Sequence, residues 1–195
     1  MRKLLVLGAA LLASGVVVAD DVFISGPYVG IQGSWNDMHY SGPDYLLSTN
    51  SIEDQKLGGR IYGGYAFSEF IAGEFGYDYF GSPKIKHDAT GNEQSFAQQG
   101  LDLTGKVNVP LDYGFSFFGK LGLDWVHRDA VESRGGYFVS RDASNKIVPA
   151  AGIGFGYTFN LNWVTDLSWT KTFSNGILPK MDILAIGLAY RFANF

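Results

Sequence analysis

The chain has 195 residues, a formal net charge of −4 and no cysteine. That length holds one domain. The lack of thiols excludes a disulfide framework or a thiolate metal site, and the acidic balance argues against a general nucleic-acid binder, which needs a basic face. Glycine (26) and aromatics (15%) are both high. Mean hydropathy is near neutral, but alternation of apolar and polar residues would average to neutral while building one strongly apolar face.

The N-terminus reads as an export signal. Arg2 and Lys3 form a positive start, residues 4–18 are an uncharged apolar run, and Val17 and Ala19 provide small residues before Asp20. This pattern predicts a cleaved signal peptide over 1–19 and a mature domain over 20–195. The run falls short of the ~20 apolar residues a spanning helix needs, and no other stretch qualifies. A mature chain in a membrane would therefore cross it as strands.

From there the pattern has period two, the strand period. In 28–35, Val29, Ile31, Gly33 and Trp35 share one face. In 57–67, Leu57, Ile61, Tyr65 and Phe67 oppose Arg60 and Tyr62. In 70–80, Ile71, Phe75, Tyr77 and Tyr79 oppose Ala72, Glu74 and Asp78. In 99–109, Leu101, Leu103, Val107 and Val109 oppose Asp102 and Lys106. In 115–125, Phe115, Phe117, Leu121, Leu123 and Trp125 oppose Lys120 and Asp124. Then Ile153, Phe155, Tyr157 and Phe159 oppose Gly152, Gly154 and Gly156. Trp163, Leu167 and Trp169 oppose Asp166, and Leu184, Ile186, Leu188, Tyr190 and Phe192 oppose Gly187 and Arg191.

Every charged residue within these spans falls on the same parity, and the apolar face carries none. A cation on a lipid face near the midplane costs about 2–4 kcal/mol, whereas a water-facing surface has no such penalty. Glycine collects on the polar face, where a narrow barrel has little room, and aromatics collect near strand ends, as in interfacial girdles. Long polar segments (36–55, 81–98, 129–146, 173–180) alternate with short ones (68–69, 110–114, 160–162). About eight strands, an even count, with long and short connections in turn, predict an all-β, eight-stranded antiparallel transmembrane up-and-down β-barrel. Its termini and short turns would be periplasmic, its long loops extracellular.

Catalytic and metal chemistry find little support. His39 and His87 lie in polar segments and His127 at a strand end, near Asp129, Glu132 and Ser133. No GxSxG elbow is present, and the histidines lack close metal-ligand spacing. Neither an enzyme, a metal site nor a cofactor is expected.

Several segments resemble the OmpA-like transmembrane barrel family. Residues 55–81, QKLGGRIYGGYAFSEFIAGEFGYDYFG, are similar to its second and third strands, with GGY at 63–65 and GYD at 76–78 the most specific pieces. Residues 99–110 resemble the fourth strand, and GLAYRF at 187–192 the closing one. The resemblance implies an ionic network inside the barrel. Glu74 and Lys106 match acidic and lysine members of that network, and Lys120 a basic position. Gly156 stands where the family has a carboxylate, Asp166 where it has an arginine, and Arg60 where glycine is common. A rebuilt network is expected, with Arg60, Lys106 and Lys120 available to Glu74, Asp102, Asp124 and Asp166. Gly187, Tyr190 and Phe192 are similar to the terminal signal read by the barrel-assembly machinery.

The expected location is the bacterial (Gram-negative) cell outer membrane. The expected role is structural, with surface interactions through loops bearing Tyr40, Tyr45, Tyr137 and Phe138. A narrow porin-like pore is the alternative, and a lipid-modifying barrel enzyme a weaker one. Partners implied are outer-membrane lipids and lipopolysaccharide, the assembly machinery, and host or phage surface molecules. Nucleic acid is not among them, and a barrel of this size can close as a monomer. The resemblance carries no expectation of cell-wall anchoring.

Overall fold

The structure is a computed structural model. It describes residues 25–39, 50–53, 55–87, 93–130, 143–159, 162–173 and 180–192. The expected signal peptide over 1–19 lies outside these residues, as do loop residues Tyr40, Tyr45, Glu132, Ser133, Tyr137 and Phe138.

Alternation within each apolar run produces strands. They are β1 (Gly26–His39), β2 (Asn50–Glu53), β3 (Gln55–Ala66), β4 (Ile71–Gly81), β5 (Lys84–His87), β6 (Glu93–Ser95), β7 (Gln98–Pro110), β8 (Phe115–Arg128), β9 (Ser144–Thr158), β10 (Trp163–Thr172) and β11 (Lys180–Arg191). Eight of them close into one barrel in the order β1-β11-β10-β9-β8-β7-β4-β3. Each barrel strand pairs antiparallel with the next in sequence, and β1 pairs with both β3 and β11. Closure matters because lipid offers a free sheet edge no hydrogen-bond partner.

The short connections are tight. Ser68 Oγ accepts from the backbone N–H groups of Phe70 and Ile71 at 3.3 and 3.2 Å. A single 3₁₀ turn, Asp112–Gly114, links β7 to β8. It needs a left-handed backbone at Tyr113 (φ 61°) and Gly114 (φ 78°), a conformation that suits glycine at the second position.

The long connections are not plain loops. The barrel strands run past the expected ends, so β1 continues to His39 and β9 begins at Ser144. Strands β2, β5 and β6 form a separate three-stranded sheet in the order β2-β5-β6. In the extensions of β1 and β8 the buried inward positions include Asn36, Met38 and Arg128, polar, apolar and charged in turn, so burial continues without the apolar–polar alternation that would mark it in sequence.

The faces are inverted relative to a soluble β-sandwich. Leu57 and Leu121 are each 73% exposed and Ile61 60%, while Glu74 is 2% exposed. Outward aromatics form girdles at both ends. Near the short turns, the Phe115 and Tyr157 rings lie 4.7 Å apart, and Trp163 and Tyr190 5.0 Å. At the opposite end stand Trp35, Trp125 and Trp169, all exposed. Beyond that second girdle charges return to the outer face: Lys171 and Asp182 are register partners across β10 and β11, 3.4 Å apart. The charge-free face therefore spans only the hydrocarbon depth.

This predicts a depth-dependent response to charge. Leu167→Arg, at the middle of β10, should lower folding stability in lipid vesicles by about 2–4 kcal/mol, and Gln55→Arg at the rim by at most about 1 kcal/mol. Urea titration of both variants checks it; equal costs would contradict the bilayer placement.

Candidate functional site

The barrel interior is the site with the most chemistry. Strand register sets which side chains meet. Arg60 lies across from Asp78, Asp102 from Asp124, and Lys106 from Lys120. Two of these rows put like charges directly opposite, which is destabilising unless opposite charge is interposed. Residues from other strands supply it.

Glu74 on β4 is the hub. Its Oε2 accepts from Arg60 Nη1 at 2.9 Å and Lys120 Nζ at 3.2 Å. Its Oε1 accepts from the Tyr28 hydroxyl at 3.0 Å and lies 4.0 Å from Lys106 Nζ. Arg60 also forks onto Asp102, with Nε at 2.9 Å and Nη2 at 2.5 Å. The planar guanidinium suits this bidentate geometry, and its carbon lies 4.4 Å from the Tyr62 ring centroid. Asp78 approaches Arg60 Nε at 4.0 Å. Phe118 lies against both lysines: Lys106 Nζ is 4.0 Å and Lys120 Nζ 5.4 Å from its ring centroid.

Space for these groups comes from glycine. A Cβ at Gly76 would collide with the Asp102 carboxylate and Arg60, one at Gly154 with the Phe118 ring, and one at Gly64 with Tyr28. An eight-stranded barrel is just wide enough for its interior side chains, so each large side chain needs a missing one opposite.

The expected network members are thus partly brought together. Arg60, Glu74, Asp102, Lys106 and Lys120 form one connected cluster. Asp166 is met by the Gln32 side-chain amide at 2.8 Å rather than by a cation. Asp124 lines a cavity shared with Arg60, Asp78 and Asp102, and forms no ion pair among the described residues. Tyr28, Gln32, Asp78 and Phe118 were not singled out from sequence. Inward parity alone flags all four, but parity does not reveal which neighbour each one reaches.

Two apolar clusters border the charged layer, in company with polar groups such as Asn36 and Arg128 at one end and Asn108 and Arg191 at the other. Met38, Phe80, Val126, Val148 and Met181 fill the end nearest the long connections. Tyr28, Tyr62, Ala66, Ala72 and Ala189 fill the other. A small void of about 50 Å³ lies beside Arg60 and Asp124, and one of about 20 Å³ lies beside Lys106 and Asp166, lined by the five residues of the second cluster together with Asn108 and Arg191.

The histidines stand apart. His39 Nδ1 is 3.6 Å from Asp182 at the outer rim. His127 Nδ1 is 2.7 Å from Asn145 Oδ1, and its Nε2 is 3.4 Å from Asp129. His87 lies on β5. Among the described residues, no group of three or more His, Cys, Asp or Glu side chains could hold a metal. Tyr190 and Phe192, of the closing strand, stack edge to face in the turn-side girdle at 5.1 Å. Gly187 faces inward against the Asp166 carboxylate.

Comparison with known proteins agrees with this architecture. Outer membrane protein A of Salmonella typhi is 25% identical over 171 residues, covering 85% of this chain and 48% of that protein. The chain thus spans about half the length of that curated relative. Neisserial surface protein A superimposes with a TM-score of 0.58 at 15% identity, over 88% of this chain and 100% of the other. The outer membrane protein OprG of Pseudomonas aeruginosa gives 0.59 at 14% identity, over 88% and 98%. These structural likenesses are of fold; the outer-membrane relative, together with the family match, places the barrel in the bacterial outer membrane. The model of the OmpA-like transmembrane domain matches residues 24–194, and this chain belongs to that family.

Proposed function

We propose that this outer-membrane barrel works as a closed structural scaffold that carries its long connections outside the cell for contact with other surfaces. The single observation that carries the reading is the filled interior. The ion cluster around Glu74 is flanked by two apolar clusters, and the voids beside it hold about 50 and about 20 Å³ among the described residues. Space of that kind suits a water molecule or two, not a continuous aqueous path. On this reading Arg60, Glu74, Asp102, Lys106 and Lys120 act as a polar core that braces the wall, with Asp166 held by Gln32 and Asp124 lining the void beside Arg60. Catalysis plays no part in it. The sheet of β2, β5 and β6 supports the surface role, because it gives the long connections a folded platform. We also assign Gly187, Tyr190 and Phe192 to recognition by the assembly machinery, on the strength of the family resemblance of this segment and the outward alternation of Tyr190 and Phe192 at the end of the last strand.

Conductance tests the closed scaffold. Purified barrel inserted into planar bilayers should stay silent over many insertions. Steady ion steps that change with Lys106→Ala would instead establish the pore. The bracing role makes a separate prediction. Glu74→Gln leaves three cations facing a neutral amide, so it should destabilise the barrel by about 3–5 kcal/mol. Tyr28→Phe removes one hydrogen bond to a charged group and should cost about 1.5–3 kcal/mol. Urea unfolding in vesicles measures both, and a Glu74→Gln barrel as stable as the parent would remove the bracing role.

A further inference from the structure

The outer wall is not evenly covered. Across β7, β8, β9 and β10, the outward residues Gly105 and Gly119 carry no side chain and Ala151 only a methyl. The result is a concave apolar groove of about 420 Å³ on the lipid face, flanked by Ile153 and Trp169 and reaching Lys171. The space above the glycines is open: a Cβ at Gly119 would meet only the Gly152 carbonyl, at 3.9 Å.

Register gives the groove a direction. One hydrogen-bonded row runs Gly105, Leu121, Ala151, Lys171, and the next runs Val107, Gly119, Ile153, Trp169. Gly105 lies midway along β7, whereas Lys171 is next to last on β10, at the end nearest the long connections. Barrel strands tilt by roughly 35–45°, so such a row climbs as it crosses the wall. The groove therefore rises from mid-bilayer to the outer headgroup level.

The cation at its upper end is placed for an anion. Lys171 is 37% exposed at its side chain and pairs with Asp182 at 3.4 Å. An ammonium has three donors, so it can hold that carboxylate and a second acceptor together. Lys180, on the same outward face as Asp182, adds another cation. Asp37, across from Asp182 on β1, lies on the side away from the groove.

We infer that this groove binds one acyl chain of a phosphate-bearing, multiply acylated lipid of the outer leaflet, whose phosphate pairs with Lys171. The surroundings of the groove are hydrocarbon, so its occupant is an apolar chain. The oblique rise and the terminal lysine select a lipid anchored at the outer headgroup level with negative charge there. A single cation against an anionic headgroup is worth about a fivefold change in affinity.

Folded barrel in detergent, titrated with lipid A and observed by native mass spectrometry, tests this. Phosphatidylethanolamine, whose phosphate is offset by its own ammonium, serves as the net-neutral comparison, and heat-modifiability on a gel verifies that each variant is folded. The parent should retain one lipid A per barrel in preference to phosphatidylethanolamine. Lys171→Gln should bind lipid A about fivefold more weakly. Gly119→Leu, which fills the groove without touching the headgroup site, should weaken both lipids. Equal lipid A binding by the parent and both variants overturns the site. Equal retention of the two lipids by the parent overturns the pairing of Lys171 with a net anionic headgroup. A shift in oligomeric state with Gly119→Leu, at unchanged lipid binding, would assign the groove to a second copy of the chain and overturn the lipid.

Discussion

Backbone hydrogen bonding in a medium that cannot supply it is the constraint behind this fold. Each strand in hydrocarbon must have both edges paired, and the pairing of β1 with β11 meets that need for the last two edges. Much else follows from closure. Eight strands fix a narrow lumen, the alternation of side chains assigns one parity to lipid and the other to that lumen, and the register of neighbouring strands decides which inward groups meet. A one-residue slip would turn every charge toward hydrocarbon.

The lumen then poses a packing problem of its own. It is narrow and contains carboxylates and cations that need partners. The solution is local neutralisation around Glu74, which meets a guanidinium, two ammonium groups and a phenol. Removing one member of such a cluster leaves others buried without compensation, so the cluster behaves as a unit. Glycines at Gly64, Gly76 and Gly154 are the other half of this solution, each leaving room for one large side chain.

The outer surface follows a different logic, set by depth. Apolar side chains cover the middle, aromatics mark the two interfaces, and ion pairs such as Lys171 with Asp182 appear where headgroups begin. Above that level the chain is in water and folds by ordinary rules, as the small sheet of β2, β5 and β6 illustrates.

Sequence by itself determined the class of the fold. Period-two alternation, the confinement of Arg60, Glu74, Asp102, Lys106, Lys120, Asp124 and Asp166 to one parity, and the rhythm of long and short connections are all one-dimensional signals. They reflect a single division between hydrocarbon and lumen. Only the tertiary structure decided the partners. Tyr28 and Glu74 are 46 positions apart and Gln32 and Asp166 134 apart, yet each pair is hydrogen-bonded. Such contacts depend on strand stagger and on which glycine makes room, and alternation along one strand carries no information about either. The same reason hid the outer groove. Gly105, Gly119 and Ala151 are scattered in sequence, and become one depression only when three strands lie side by side in this register.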